Sequence, residues 1–119
     1  MQLVNISKGT LLAERLTEAR APWSQLVGLL GRSHLSQGEG LLIAPCSSVH
    51  TFFMRFPIDV AFLDRDGRVV SAFASVPPFR VLMGGRGAQM AVELLAGVLA
   101  RTGATTGDQL LLRREAPGN

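Results

Sequence analysis

The chain has 119 residues, of which 47% are apolar and 18% are charged, and its formal net charge is +3. These values exclude a disordered chain and leave room for one hydrophobic core. We therefore expect a single domain over residues 1–115 and a frayed tail over 116–119. The basic residues are scattered over both halves of the chain, which argues against a nucleic-acid partner.

The N-terminal residues lack the basic segment and long apolar run of a signal peptide. The only cysteine, Cys46, has no second cysteine in the chain with which to form a disulfide bond. No apolar stretch approaches the roughly 20 residues that span a bilayer. We expect a cytoplasmic protein in a reducing compartment, without a membrane partner.

Helical patterns dominate the first third of the chain. Residues 10–20 place leucines on one face behind a threonine cap, and residues 22–30 repeat an apolar stripe that begins after a proline. Trp23 lies in register with that stripe, so we expect it in the core. A weak alternation over residues 3–6 predicts one strand before these helices.

The periodicity changes to that of strands after the polar loop 31–40. The Asp66-Gly67 step predicts a tight turn between strand segments 60–63 and 69–73. Further strands are predicted at 40–43, 51–54, 59–63, 68–76, 89–95 and 109–112, with a glycine-rich loop at 81–87 and one or two helical turns at 96–102. The fold class that follows is α+β, with short N-terminal helical segments packed on a strongly curved, mostly antiparallel sheet or partial β-barrel.

Several motifs resemble those of the bacterial and archaeal domain-of-unknown-function family 192 over about residues 23–112. The most specific is the run FMRFPIDVAFLD at 53–64, and weaker ones are GLLGR at 28–32, GLLI at 40–43, VELLAG at 92–97 and GD at 107–108. The resemblance implies a compact β-rich domain more than an activity. Two positions depart from the family pattern, since residues 25–27 lack its arginine and Phe53 replaces its usual tryptophan.

Two carboxylates, Asp59 and Glu93, lie in otherwise apolar strands, where an unpaired charge would be costly to bury. If they face one another, their repulsion would raise one pKa and create an acid/base pair. The structural interpretation, which we favour, has Asp59 accepting backbone N–H bonds near the bend at 56–57. In that interpretation Glu93 pairs with Arg55 or Arg86.

Cys46 and His50 suggest a nucleophile and its base, but no third residue orients them, and we expect no catalytic thiol. A metal site that adds His34 lacks the usual ligand spacing. The glycine-rich loop at 84–87 offers an anion nest beside Arg86, although a flexible connection is the more ordinary interpretation. No cofactor motif is present, and we expect no cofactor.

Arg55 is expected on a polar rim beside an apolar cleft, because strand neighbours point to opposite faces. The residues that would line the cleft are Phe52, Met54, Phe56 and Phe79. We therefore expect a non-catalytic binding or accessory module for a peptide segment or a small anionic ligand, with candidate contacts at His50, Met54, Arg55, Asp59, Arg86 and Glu93. One alternative is a small hydrolase or isomerase that uses Asp59 and Glu93, and another is an RNA-contacting domain, which the scattered charge disfavours.

Overall fold

A computed structural model of the chain describes residues 1–19, 35–52 and 54–114. Within these ranges, ten strands and one short helix follow one another along the chain. They are β1 (Gln2–Asn5), β2 (Thr10–Ala13), β3 (Arg15–Ala19), β4 (Glu39–Ile43), β5 (Ser48–His50), β6 (Ile58–Leu63), β7 (Val69–Val76), β8 (Val81–Met83), β9 (Met90–Leu95), α1 (Val98–Thr102) and β10 (Leu110–Arg113).

The strands form three sheets. The central one has five strands in the order β3-β4-β9-β6-β7, a second has the order β10-β1-β2, and β5 pairs with β8 in a two-stranded ribbon. All pairs are antiparallel except β3 with β4, which run parallel. Among the described residues no sheet closes on itself, so the predicted partial barrel is wrong.

The central sheet is covered on both faces, which is why all six residues of β6 are buried. One apolar cluster lies between this sheet, strands β1, β2 and β10, and helix α1, and includes Leu42, Ala61 and Leu94. The other cluster lies on the opposite face, towards the ribbon, and includes Val60 and Phe62. The chain therefore folds in layers around one sheet.

The predicted α+β class with N-terminal helical segments is wrong, because the described residues are mostly β-strand and contain one short helix. Residues 10–19 form β2 and β3, which are separated at Glu14, and these two strands bury Leu12, Leu16 and Ala19 as a helix would have done. Strand β3 gains its hydrogen bonds from the parallel neighbour β4, which is a long-range contact. The second predicted helix, 22–30, Trp23 and the tail 116–119 lie outside the described residues.

The turn at Asp66-Gly67 is confirmed. Strands β6 and β7 pair antiparallel, with Val60 opposite Phe73 and Leu63 opposite Val69. Gly67 has a φ of 85°, and a side chain there would meet the Leu110 carbonyl oxygen at 2.7 Å. This turn therefore requires glycine for its conformation and for its close approach to β10.

The other differences concern the ribbon. The strand predicted at 51–54 is wrong, because residues 51, 52 and 54 follow strand β5 and lie in no strand. The loop predicted at 81–87 begins with strand β8. The strands predicted near residues 3–6, 40–43, 59–63, 68–76, 89–95 and 109–112 and the helical turns near 96–102 are confirmed. No helix in the described ranges is long and apolar enough to cross a membrane.

Candidate functional site

Asp59 is fully buried in β6, and its carboxylate oxygens accept three hydrogen bonds from backbone amides. Its Oδ1 accepts from the Ser75 amide at 2.7 Å, and its Oδ2 accepts from the amides of Gly97 at 3.1 Å and Leu99 at 2.8 Å. The carboxylate thus joins the end of β7 to the start of α1. The expected backbone bonds exist, but their donors lie far from the predicted bend at 56–57.

Glu93 occupies the middle of β9 and is only 6% exposed. Leu41 on β4 and Val60 on β6 lie opposite it, so its immediate surroundings are apolar. Burial raises the pKa of the Glu93 carboxyl to about 7. Arg55 and Arg86 are exposed, and no described residue forms an ion pair with Glu93. The sequence-based pairing with either arginine is therefore not found.

Asp59 and Glu93 project from opposite faces of the central sheet. Asp59 lies opposite Leu94, and Glu93 lies opposite Val60, so the register places the two carboxylates one position apart along paired strands. Side chains at successive positions alternate between faces. The structure therefore does not bring the two groups together as an acid/base pair.

Cys46 follows β4 and lies at the edge of the layer between the central sheet and the ribbon. Its thiol donates to the Ser48 carbonyl oxygen at 3.0 Å. Burial, and to a lesser extent the charge of Glu93, raise the pKa of the Cys46 thiol. His50 is exposed and its ring lies 5.4 Å from that of Phe52, so each of the two predicted partners contacts a different neighbour. A raised pKa disfavours the thiolate that a nucleophile needs.

The ribbon carries an exposed apolar surface. Strand β5 pairs with β8, and His50 lies opposite Val81. Val49 lies opposite Leu82 and packs inward. The outward side chains of β8, Val81 and Met83, are apolar, and Phe52 and Phe79 are exposed next to the ribbon. We call the four exposed members the ribbon patch: Phe52 (38% exposed), Phe79 (59%), Val81 (59%) and Met83 (67%).

Thr51 fixes the position of the patch. Its Oγ1 donates to the Pro77 carbonyl oxygen at 2.7 Å and accepts from the Arg80 amide at 2.9 Å. Its backbone carbonyl accepts from the Phe79 amide at 3.1 Å. Phe79 has a φ of 65°, a left-handed conformation that costs a bulky residue about 1–2 kcal/mol. The Phe79 ring lies 6.1 Å from that of Phe52.

The remaining candidates divide between core and surface. Met54 is buried and Phe56 packs against the same cluster as the ribbon, so neither lines an open cleft. Arg55 and Arg86 are exposed, and the polar rim at Arg55 stays a prediction. In the glycine-rich loop, the Ala88 amide donates to the Gly85 carbonyl oxygen at 3.2 Å, which closes a tight turn. His34 and Phe53 lie outside the described residues.

Val81 and Met83 were missed by sequence reasoning. Their segment is followed by four residues of which three are glycine, and this composition predicts a loop. No alternation of apolar and polar residues marks this strand, because Val81, Leu82 and Met83 are all apolar.

Two solved structures are similar to this chain. One is a protein of unknown function from Novosphingobium aromaticivorans DSM 12444, with a TM-score of 0.81, 24% sequence identity, and coverage of 93% of this chain and 82% of that one. The other, from Sinorhizobium meliloti 1021, is provisionally described as a transcription regulator. It has a TM-score of 0.78, 22% identity, and coverage of 92% and 89%. At these identities the likeness establishes the fold alone.

The comparison with curated proteins found no match. The comparison with family profiles did, and it agrees with the resemblance of the motifs around residues 53–64. Because the match extends over residues 4–112, this chain belongs to domain-of-unknown-function family 192, described as an uncharacterised ACR.

Proposed function

We propose that this protein is a non-catalytic module that binds an extended peptide segment of a partner protein through the ribbon patch. The observation that carries the proposal is the fixed exposure of Phe79. Phe79 is 59% exposed although its backbone adopts a conformation that costs free energy. The exposed part of this residue offers apolar surface that a partner protein could cover.

The composition of the patch suits side chains of another protein. Phe52 and Phe79 supply rigid aromatic surface, and Met83 supplies a flexible one that adapts to different partners. Aromatic residues and methionine are enriched in the buried centres of protein–protein interfaces. Val81 adds an aliphatic contact between them.

The charge around the patch indicates an acidic segment. Each patch residue lies within three positions of an exposed arginine, namely Arg55, Arg80 or Arg86. The sequence contains no aspartate or glutamate from residue 40 to 58 or from 67 to 92. A partner with carboxylates between its apolar side chains would therefore complement both features of the surface.

The enzyme alternative has less support, because its two carboxylates lie on opposite faces of the central sheet. The RNA alternative would use the same aromatic rings as stacking platforms with the arginines as phosphate contacts. Two of the four patch residues, Val81 and Met83, lack the flat ring that stacks on a base. These aliphatic surfaces favour a peptide over a nucleic acid.

The proposal is tested by fluorescence polarisation with three labelled peptides. The peptides share the same alternating aliphatic and aromatic side chains and differ only in having acidic, neutral or basic residues between them. We expect the acidic peptide to bind most tightly, and its affinity to fall as salt is added. The substitution Phe79→Ser should weaken binding by about tenfold or more, because a buried aromatic anchor is lost.

The matched control is Leu111→Ser, which removes another exposed apolar side chain from a different sheet, on β10. It should leave peptide affinity unchanged. The proposal fails if none of the peptides binds, or if both serine variants weaken binding equally. A single-stranded RNA that binds more tightly than the acidic peptide would instead support the RNA-contacting alternative.

A further inference from the structure

The hydrogen bonds of the ribbon alternate along its two strands. The Gly84 amide donates to the Ser47 carbonyl oxygen at 2.8 Å, and the Thr51 amide donates to the Arg80 carbonyl oxygen at 2.8 Å. Antiparallel strands bond at every second pair, so the pair midway between these two is bonded in the same way. The backbone groups of the intervening residues therefore point away from the partner strand.

On β8 the intervening residues are Val81 and Met83, so their N–H and C=O groups point to the outer edge of the ribbon. Strand β8 has no second neighbour in the described sheets, and no described residue forms a backbone hydrogen bond with this edge. Val81 is 59% exposed and Met83 is 67% exposed. The outer edge of β8 therefore offers backbone donors and acceptors to a further strand.

Strand β8 lacks the features that protect an edge strand from pairing. Its sequence, VLM, contains no charged residue and no proline, and its register with β5 has no bulge. The edge strand β10 is covered at its first residue. There the Leu110 amide donates to the Gly67 carbonyl oxygen at 2.9 Å, and Gln109 Nε2 donates to the Leu110 carbonyl oxygen at 3.0 Å. The edge of β8 is open by comparison.

The outer edge of β5 is less suited to pairing. Its outward backbone groups belong to the polar residues Ser48 and His50, and the Ser48 carbonyl oxygen already accepts from the Cys46 thiol at 3.0 Å. On β8 the residues with outward backbone groups, Val81 and Met83, also belong to the ribbon patch. A strand added at β8 therefore gains backbone hydrogen bonds and apolar contacts from the same residues.

We infer that the partner segment binds as a third strand of the ribbon, paired through its backbone with Val81 and Met83. The partner is an acidic chain terminus or linker that belongs to no folded sheet of its own, because edge pairing requires backbone groups without other partners. This inference rests on the proposed function and adds the mode of recognition and the kind of segment recognised.

Charge favours this occupant over a second copy of the chain. Arg80 precedes β8 and Arg86 follows it, both are exposed, and neither forms an ion pair with a described residue. Two copies paired through β8 would place the arginines of one copy beside those of the other, and like charges across an interface weaken association. The carboxylates of an acidic segment would neutralise the same arginines.

The experiment uses the wild-type protein and the acidic peptide of the polarisation assay in two backbone-methylated forms. One form carries N-methyl groups on the amides of its odd-numbered residues, and the other carries them on the even-numbered ones. Alternate residues of a strand direct their N–H groups to the same side, so only one form keeps the N–H groups that face β8. We expect one form to bind at least about tenfold more weakly than the unmethylated peptide, and the other to bind nearly as well as it does.

Variants test the protein side of the pairing. Val81→Pro removes the outward N–H, and Val81→Ala is its matched control, because both lose the valine methyl groups but alanine keeps the N–H. An edge strand accepts proline where the N–H faces solvent. We expect Val81→Pro to bind about tenfold more weakly than Val81→Ala. Ser48→Pro makes the same change at the outer edge of β5 and should bind as the parent protein does.

Equal affinities of the two methylated forms would overturn strand addition, whether both match the unmethylated peptide or both are weakened. Equal affinities of Val81→Pro and Val81→Ala would overturn it as well. In each case the unmethylated peptide still binds, so the proposed function survives. Failure of the unmethylated peptide to bind removes the proposed function, and this inference with it.

The methylated peptides decide the inference on the wild-type protein even if Val81→Pro does not fold. Sedimentation of the parent protein tests the other occupant of the edge. We expect a monomer in the absence of peptide. A parent dimer that Val81→Pro converts to a monomer would overturn the inference, because a second copy of the chain would then occupy the edge of β8.

Discussion

Each face of the central sheet buries one carboxylate, and the two carboxylates differ in the hydrogen bonds that they receive. On one face Asp59 receives amide hydrogens from Ser75, Gly97 and Leu99 and ties two elements together. On the other face Glu93 lies among apolar neighbours without a donor from the described residues, and its pKa rises to about 7. Burial alone therefore does not show whether a carboxylate holds parts of the fold together, whereas the hydrogen bonds that it receives do.

The largest expected effect comes from Asp59→Asn. The asparagine keeps the shape of the side chain, but its amide nitrogen cannot accept a hydrogen bond and it loses the negative charge that strengthens the others. At least one buried backbone N–H is left without an acceptor. We expect a loss of about 3 kcal/mol in the free energy of unfolding, measured by urea denaturation at pH 7.

Asp66→Asn is the control for this measurement. It removes one negative charge from an exposed turn position and leaves an Asn-Gly step that suits the same turn. Its stability should remain within about 0.5 kcal/mol of the parent. A similar loss in both variants would show that net charge, rather than the backbone bonds of Asp59, explains the effect.

On the other face of the sheet, we expect Glu93→Gln to raise the free energy of unfolding. Glu93→Gln removes a charge that burial destabilises, so the variant should gain on the order of 2 kcal/mol in unfolding free energy at pH 8. The sequence alone favoured a structural ion pair and hence a loss of stability in this variant. A loss at pH 8 would restore that interpretation.

The raised pKa of Glu93 also predicts how the stability of the protein changes with pH. The folded pKa of Glu93, about 7, is raised above its ordinary value of 4.5. The stability that this group contributes is fully present below about pH 4.5, where both states are protonated, and it is lost as the pH rises to about 7. Urea midpoints of the parent should fall in this window relative to those of Glu93→Gln.

The central strands could be predicted from the sequence because their apolar runs and turn signals agree. Strands β6 and β7, with Gly67 between them, were found from local pattern alone. Residues 10–19 could not be assigned in this way. The leucines at 12 and 16 fit both a helix face and the two strands observed, and only the parallel pairing with β4 selects the strands.

The site was predicted in part for a similar reason. The sequence identified Asp59 and Glu93 as unusual carboxylates, but the donors to Asp59 lie between 16 and 40 residues away along the chain. Whether two strand residues share a face depends on register, which the sequence of one strand does not specify. Phe52 and Phe79 were placed in one cleft, and the structure does bring their rings close together, on an exposed surface.

A third carboxylate, Asp108, sharpens the comparison because its pH dependence should have the opposite sign. Hydrogen bonds from Lys8 and Asn5 lower the pKa of Asp108 from 3.8 to about 2. Its contribution to stability is present above about pH 4 and is lost as the pH falls through about 2. The stability difference between the parent and Asp108→Asn should therefore shrink on acidification through this window, measured by thermal unfolding.

The control for Asp108 is Asp66→Asn, whose difference from the parent should stay nearly constant over the same range. Lys8→Met should reproduce the effect of Asp108→Asn in part, since the ammonium at 2.8 Å is one of the two side chains that lower the pKa. An unchanged acid limb in both Asp108→Asn and Lys8→Met would contradict the assignment.

The smallest expected effect links Glu93 to Cys46. Desolvation is the main cause of the raised thiol pKa, and the charge of Glu93 adds a weaker contribution in the same direction. The parent protein should therefore react slowly with iodoacetamide at pH 7.5, and Glu93→Gln should react faster by less than about tenfold. Glu14→Gln should match the parent, because its carboxylate is exposed and paired with Arg15. If Glu93→Gln also matches the parent, the Glu93 charge does not reach the thiol, and burial alone raises the pKa of Cys46.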